Sequence, residues 1–537
     1  MKKFFSRFRF NYPRSLIYML QASEYRVRDY FSWLGAAQDF SRVERRKKFV
    51  PTLKAVLLLA CAWLIWAAII GLAAGCILLL RAPANWILAA ALVIFSPDLL
   101  ACLVLIPLAA LRIAQLPVEL AILRCARKKL AVSKALKIAV AGSYGKTTMR
   151  EILRAVLGAK KAAAPSASIN TPLGISAFAN SLKGDEEILI FEFGEYYPGD
   201  IKKLCRMVRP AIGIITGANE AHLEKFKTLE RAAGTIFELA QFVAPRDLYI
   251  NGENLAATGR AASGNILYSR EGVHGAQGSC GTKNSAEWRV ENASSDLSGT
   301  KFSIINCGTA NFKTAENAAE NKTGANTAEN KTAENAAENK TGAIRLDLHS
   351  PLLGMHQIGP LALGVAIASR LGIPPEKIKA GIAQTRPFEH RLEPRSDSQG
   401  VIILDDSYNG NPDGAAAVID FLASLKGANQ GADSNGQKSL KRAGRRFYVT
   451  PGLVEMGARA EAVHKEIGRL LARAGIEKIV LIRDSVTPYI ERGLRENDYK
   501  GEIIWFDDAL AALAALPSMT APGDVVLIQN DWPDQYR

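Results

Sequence analysis

The sequence predicts an α/β protein. A P-loop central domain on a parallel sheet is followed by a C-terminal doubly wound, Rossmann-like domain, and two transmembrane helices precede both. Three observations predict this. Residues 136–148 read LKIAVAGSYGKTT, an apolar run that turns into a glycine loop, a lysine and two hydroxyls before the helix-like Met149–Leu157. Downstream, short apolar runs alternate with helical stretches, as in a parallel sheet covered by helices. Upstream lie two long, almost purely apolar stretches, each above the ~18–20 residues that cross a bilayer.

The 537 residues suffice for about three domains. The formal net charge is +15, and residues 1–48 hold twelve Lys or Arg against four Asp or Glu. A basic arm suits nucleic acid or an anionic membrane surface. The sequence that follows selects the membrane, and no nucleic-acid partner is expected. Segment 13–34 (PRSLIYMLQASEYRVRDYFSWL) fits an interfacial helix on the inner leaflet or a small helix packed on the soluble part.

Leu53–Leu80 and Trp86–Leu111 are almost purely apolar, interrupted by small residues, by Pro97 and Pro107, and by one charge each, Lys54 and Asp98. Arg81-Ala-Pro-Ala-Asn85 between them suits a tight re-entry loop. Their length and uniformity disfavour buried core helices. A cleaved signal peptide would start nearer the N-terminus and be shorter. Arg45, Arg46, Lys47 and Lys48 precede the pair; Arg112, Arg124, Arg127, Lys128 and Lys129 follow it. The positive-inside rule puts both flanks in the cytoplasm. The expectation is a multi-pass protein of the plasma (inner) membrane with its catalytic domains cytoplasmic. The seven cysteines show no metal-like spacing, so neither disulfides nor a zinc site are expected.

Ile138 to Ala141 reads as the strand that feeds the phosphate loop. Backbone N–H groups along Gly142, Ser143, Tyr144, Gly145 and the helix start at Thr148 would point at phosphate oxygens. Lys146 adds a point charge, and the Thr147 hydroxyl suits Mg²⁺. The strict G-x-x-x-x-G-K-[ST] pattern is not met, because Val140 stands where its first Gly belongs. An ordinary strand–helix turn is the alternative reading.

Further strands are expected at Ile188–Phe193, Ala211–Thr216, Leu248–Asn251, Val401–Leu404, Arg446–Thr450 and Lys478–Ile482. Doubly wound sheets bind ligands at the carboxyl ends of their strands. Between Cys307 and Ile344 the chain is low-complexity: TAENAAENKTGA occurs at 314–325 and again at 332–343. With one aromatic (Phe312) and no branched aliphatic residue, it cannot build a core and reads as a disordered loop. Its flanks, Lys301–Asn306 and Ile344–His349, read as two strands. Gly427–Lys441 reads as another surface loop.

Polar residues cluster at several of these strand ends. Asn170-Thr171-Pro-Leu-Gly174 is one such segment. Glu192-Phe-Gly194 ends a strand, and a carboxylate there suits Mg²⁺. Asn219-Glu-Ala-His222 follows another. Taken alone, Glu192 reads as a solvated carboxylate and His222 as a capped loop histidine; sharing a sheet edge with the phosphate loop gives them weight. Arg391 is followed by Asp405-Asp406-Ser407-Tyr408-Asn409-Gly410-Asn411-Pro412, a density of carboxylates and turn formers that suits a ligand-facing loop.

The ordered set resembles the Mur ligases, ATP-dependent enzymes that add amino acids to peptidoglycan precursors. AGSYGKTT is similar to their TGTxGKT[ST] loop. FEFGEYYPGDIKKLCRMVRPAIGIITGANEAHLEKF at 191–226 and DDSYNGNPDG at 405–414 resemble most the branch that adds D-alanyl-D-alanine. GMHQIGPLALGVAIASRLGI at 354–373 and VTPGLVEMG at 449–457 resemble further motifs of the family. The resemblance covers about residues 136–537. It implies a central ATP-binding domain over 136–390, with 307–343 as an insert, and a C-terminal domain over 391–537. Segments 1–48 (basic and interfacial), 49–112 (two transmembrane helices) and 113–135 (basic linker) would precede them.

The resemblance also implies the chemistry. ATP would phosphorylate a substrate carboxylate, and an amine would attack the acyl phosphate. Lys146 would contact the β/γ-phosphates. Thr147 and Glu192 would hold one Mg²⁺, and His222 would help with a second. Asn170 and Thr171 would face the acyl substrate. Arg391, Asp406, Tyr408 and Asn409 would bring the C-terminal domain onto ATP. The partners implied are a cell-wall precursor, an amino acid or dipeptide such as D-Ala-D-Ala, and the membrane.

Three departures stand out. Ala233 occupies the position where the family carries a carbamylated lysine. Gln357 and Pro360 stand where asparagines are usual. Basic and apolar segments occupy the place of the UDP-sugar domain. Two rivals remain: a relative making another amide, as folylpolyglutamate and cyanophycin synthetases do, and a nucleotide-binding membrane scaffold for wall synthesis.

Overall fold

The computed structural model describes residues 2–44, 48–79, 81–166, 169–221, 223–275, 288–307, 344–408, 410–425 and 444–530. The repeat and the 427–441 stretch lie outside the described residues, as do His222 and Asn409. Two compact units divide the chain near Arg124 and Cys125.

The first unit is helical. It contains α1 (Lys2–Ser6), α2 (Tyr12–Ala22), α3 (Val27–Ala36), α4 (Leu53–Leu79), α5 (Ala84–Leu103) and most of α6 (Leu105–Val132). Both α4 and the α5–α6 run are long and apolar enough to cross a membrane. The expected second span, Trp86–Leu111, falls within the apolar helical run Ala84–Val132; α5 and α6 meet at Val104, which keeps helical dihedrals (φ −60°, ψ −18°), three residues before Pro107. The expected linker 113–135 is helical through Val132. Segment 13–34 forms most of α2 and of α3, which pack on α4 and α5. Tyr12, Leu16, Tyr30 and Phe40 share a core with Ala55, Leu58, Leu100 and Val104. Polar groups stitch this core: Tyr12 donates to the Pro97 carbonyl (3.3 Å) and Trp66 Nε1 to Ser96 Oγ (3.3 Å). Arg7 pairs with Asp98 at 2.6 Å.

The second unit opens with β1 (Leu136–Ala141), α7 (Lys146–Val156), β2 (Ala162–Ala163), α8 (Pro172–Ser181), β3 (Ile188–Glu192), α9 (Asp200–Val208) and β4 (Ile212–Ile215). Next come α10 (Leu223–Phe226), α11 (Leu229–Ile236), β5 (Leu248–Asn251), α12 (Leu255–Thr258), β6 (Ile266–Ser269), β7 (Gly272–Gly275), β8 (Trp288–Asp296), β9 (Gly299–Asn306) and β10 (Arg345–Ser350). Helices α13 (Ile358–Arg370) and α14 (Pro375–Ala383) close this part. Ten strands form one sheet in the order β10-β9-β8-β7-β6-β5-β4-β1-β3-β2.

The sheet is mixed, not parallel as expected. Strands β2 to β6 and β1 run parallel, whereas β6 to β10 pair antiparallel. The reason is connection length. Only Arg270 and Glu271 separate β6 from β7, and a two-residue turn makes a hairpin, whereas a parallel crossover needs a dozen residues or more. The strands expected on either side of the repeat pair as β9 and β10. Helix α13 is buried over most of its length and packs with α7 and β1 in one core that includes Ile138, Val140, Ile152, Leu361 and Ile367. A Cβ on Gly381 of α14 would lie 2.7 Å from Val156 Cα, so glycine permits the close approach of α14 to α7.

The C-terminal part runs β11 (Glu393–Ser396), β12 (Ile402–Asp406), α15 (Pro412–Ser424), β13 (Arg446–Thr450), α16 (Ala460–Ala474), β14 (Lys478–Ile482), α17 (Thr487–Arg495), β15 (Glu502–Phe506), α18 (Ala509–Met519) and β16 (Val525–Gln529). The sheet order is β11-β12-β16-β13-β14-β15. Five strands are parallel with helices between them, as the doubly wound expectation required; the edge strand β11 is antiparallel to β12. Buried side chains pack on both sheet faces, Leu404, Tyr448 and Leu481 on one and Phe447, Val480 and Val526 on the other.

Candidate active site at the phosphate loop

Strand β1 lies between β3 and β4, so three carboxyl ends meet beside residues 142–148. Gly145 (φ +68°) precedes α7, which has no side-chain cap on its first turn. Its leading N–H groups therefore face the loop. Gly142 (φ +146°) passes so close to β4's end that a Cβ would sit 2.9 Å from the Gly217 oxygen. Ser143 N–H donates to that same oxygen at 2.9 Å, and Thr216 Oγ1 donates to the Tyr144 carbonyl. Asn219 N–H donates to Ser143 Oγ at 3.3 Å. The loop is thus held along its flank by residues 216–219.

Four charged side chains surround it. Lys146 Nζ donates to the Gly142 carbonyl and pairs with Glu195 Oε1 at 3.0 Å. Thr147 Oγ1 donates to Glu192 Oε2 at 2.9 Å. Arg150 Nη1 lies 3.5 Å from the same oxygen, and Asn170 Nδ2 donates to Glu192 Oε1 at 3.5 Å. Arg150, Glu192 and Glu195 are all buried. Two carboxylates are matched by two cations, so burial does not leave net charge.

A cavity of about 330 Å³ opens from the loop toward the C-terminal part. Tyr144, Gly145, Thr148 and Tyr268 line one side; Arg391, Asp406, Tyr408 and Asp413 line the other. The Arg391 guanidinium stacks 4.7 Å from the Tyr408 ring centre. Arg391 Nε is buried without a hydrogen-bond partner among the described residues. Asp406 Oδ1 accepts from Leu392 N–H at 3.1 Å. Burial pushes the Asp406 carboxyl up to about 7, against the pull of Arg391. His356 also lines the cavity, 2.8 Å from Gln357 Nε2. Burial, assisted by Arg270, pushes its ring down to about 4, so it is neutral and accepts from that amide. Glu253 and Arg270 form a two-pronged pair at 3.0 Å on the rim.

The structure therefore brings Tyr144, Gly145, Thr148, Arg391, Asp406 and Tyr408 to one cavity, while Lys146, Thr147, Asn170 and Glu192 are bonded at the phosphate loop itself and are not among the residues that line it. Thr171 is exposed and caps α8, accepting from Gly174 N–H at 3.3 Å. Ala233 is buried in α11. Sequence reasoning missed Arg150 and Glu195. Each stands three residues past a residue it had singled out, Thr147 and Glu192. On α7 that spacing puts Arg150 on the face of Thr147.

The cleft fits a nucleoside triphosphate and Mg²⁺. Gly142, with no Cβ, lets the loop lie directly against Thr216 and Gly217. Arg391 Nε is a buried donor still to be satisfied. The Thr147 hydroxyl and Glu192 carboxylate are hard oxygen ligands suited to Mg²⁺. Among the described residues, which leave out His222, no three His, Cys, Asp or Glu side chains gather as a metal cluster.

A phosphate loop facing a second α/β domain across a polar cleft defines a two-domain nucleotide-dependent enzyme. Residues 140–368 match the Mur ligase middle domain, and residues 390–529 match the Mur ligase glutamate ligase domain. The chain belongs to the Mur ligase family, ATP-dependent acid–amino-acid ligases. It is 25% identical over 398 residues to UDP-N-acetylmuramoyl-tripeptide–D-alanyl-D-alanine ligase of Mycobacterium leprae, covering 73% of this chain and 70% of the relative. With the Bacillus subtilis enzyme of that name identity is 23% over 395 residues, covering 73% and 72%. MurF ligase from Thermotoga maritima, solved in complex with ADP, shares the fold: TM-score 0.57, 21% identity, 78% of this chain and 81% of that one.

Proposed function

We propose that this protein is a membrane-anchored ligase that forms an amide on a peptidoglycan precursor, with D-Ala-D-Ala or a similar amine as acceptor. The observation that carries the reading is the cleft itself. Lys146, Thr147 and Glu192 stand at the mouth of a loop built for phosphate, and Arg391, Asp406 and Tyr408 face them from the C-terminal domain. ATP bound there supplies the phosphoryl group that activates the substrate carboxylate as an acyl phosphate.

The chain's own residues bind and orient. Lys146 turns from Glu195 to the β/γ-phosphates, and Thr147 with Glu192 would hold Mg²⁺. The uncapped start of α7 offsets the negative charge on the phosphates. Arg391 and Tyr408 close over the nucleotide, and the two domains together exclude water, which protects an acyl phosphate from hydrolysis. Asn170, bonded to Glu192, faces the acyl side. The choice of D-Ala-D-Ala follows from the similarity to the Mycobacterium leprae and Bacillus subtilis enzymes.

Helices α4, α5 and α6 support attachment to the inner membrane with both flanks cytoplasmic. They stand where the family's UDP-sugar domain is usual, which favours a lipid-linked precursor at the inner leaflet. The test is ATP turnover by the full chain with UDP-linked and lipid-linked muropeptides, each with D-Ala-D-Ala. Turnover on the lipid-linked substrate supports the reading; dependence on the soluble substrate alone removes the lipid-linked part. Loss of product with Lys146→Ala separates a ligase from a scaffold, because a scaffold would survive it.

A further inference from the structure

Asn219 joins the phosphate loop to the C-terminal domain, and every polar atom of its amide has an assigned job. It follows β4, and its backbone N–H bonds Ser143 Oγ in the loop. Its Oδ1 accepts the Ala221 N–H at 3.0 Å. A backbone N–H only donates, so that bond fixes which way the amide faces. Nδ2 must then point at the C-terminal domain, where it donates to Asn411 Oδ1 at 2.8 Å and to Asp413 Oδ2 at 2.8 Å. Asn411 is oriented as firmly: its Oδ1 also accepts Gly414 N–H at 3.0 Å as the cap of α15. Asn219 is 3% and Asn411 8% exposed, so water competes little for these bonds.

We propose that Asn219 is a positioning residue that clamps the start of α15 onto the phosphate loop, and that the clamp requires two donors at this position. The segment it clamps follows directly on Asp406 and Tyr408, so its placement sets how those side chains face the nucleotide. Two ion pairs join the same edges, Lys225 with Glu455 at 3.2 Å and Glu220 with Arg459 at 3.7 Å. Arg459 is well exposed and the second pair is long, so it contributes little. The buried amide is the shorter and better oriented link. The inference rests on the cleft between the domains being the nucleotide site.

Asn219→Asp preserves shape but removes both donors and sets a carboxylate against Asp413, whose own carboxyl burial already raises. The double change Asn219→Asp with Asp413→Asn returns a donor–acceptor pair of reversed polarity. Full-length protein in detergent is compared by hydrogen exchange of the peptides covering 142–149 and 411–418 and by ADP affinity. The single change is expected to speed exchange in both peptides and weaken ADP about 10- to 100-fold. The double change is expected to recover part of both, because it restores the bond to position 413 while Asn411 Oδ1 still meets a carboxylate. Unchanged exchange in the single variant overturns the clamp, as does a double variant no better than the single. If the single variant does not fold, the double variant decides alone, folding and protected or not. Wild-type protein that binds no ADP would instead overturn the nucleotide reading, since exchange reports the clamp without nucleotide.

Discussion

Gly217→Ala is expected to damage the phosphate loop more than a change at the glycine of the loop's own lysine turn. Gly217 has φ +140°, a backbone conformation that L side chains rarely adopt. A Cβ there would lie 2.6 Å from Tyr144 Cζ and 2.8 Å from its Cε1. Tyr144 is enclosed: its ring lines the cavity, and its carbonyl takes the Thr216 hydroxyl. The ring has to move, and it carries the loop with it. Backbone strain of about 1–3 kcal/mol and overpacking of about 1–3 kcal/mol give a cost of about 4 kcal/mol. Gly145→Ala makes a clean comparison. Its φ is +68°, and its Cβ would meet Thr216 Cβ at 3.7 Å, an ordinary contact. Only the left-handed penalty of about 1–2 kcal/mol remains. Urea unfolding followed by fluorescence, together with ADP calorimetry, reads both variants. Gly217→Ala should lose several times the stability that Gly145→Ala loses, and should lose ADP binding. Equal losses, or wild-type ADP affinity in Gly217→Ala, would refute the packing argument.

Other predictions concern the charges. Glu195→Gln frees Lys146 from a buried partner that nucleotide has to displace, so ADP should bind about tenfold tighter by calorimetry; weaker binding would show that Glu195 assists the phosphates instead. His356 is held down to about 4 in the fold, against about 6.5 when unfolded. The unfolded chain then binds the extra proton between those values. This contribution is complete above pH 6.5 and is lost as pH falls through 4, about 3 kcal/mol in all. His356→Gln should flatten that acid limb of the urea-stability profile; an unchanged limb rules the ring out as its source. With Ala233 where a carbamylated lysine is usual, ligase turnover should be indifferent to bicarbonate depletion, and a bicarbonate requirement would point to another lysine.

What the sequence announced was local in the chain. The strand, glycine loop, Lys146 and α7 lie within 21 residues, and their pattern points to a phosphate site. Glu192 and Asp406 were legible because each ends an apolar run, and strand ends are where such sheets bind ligands. The mixed character of the central sheet was not legible. The β6–β7 hairpin turns on Arg270-Glu271, which carries no Asn-Gly or Gly-Gly signal. The Glu195–Lys146 pair spans 49 positions, and the Asn219–Asn411 link spans 192. Only the fold brings such partners together. Segment 13–34 was ambiguous for a related reason: aromatics and arginines suit a lipid surface and a protein core alike, and its contact with α4 and α5 is made by residues some 30–80 positions away.

The central claim is that this cleft activates a carboxylate with ATP. Positional isotope transfer tests it most directly. Full-length protein is given ATP, D-Ala-D-Ala and a muropeptide whose acceptor carboxylate carries ¹⁸O, and the released phosphate is analysed by mass spectrometry. The account predicts one ¹⁸O per phosphate for each amide formed, and none with Lys146→Ala. Phosphate that carries no label while amide is made, or label transfer that survives Lys146→Ala, would contradict it.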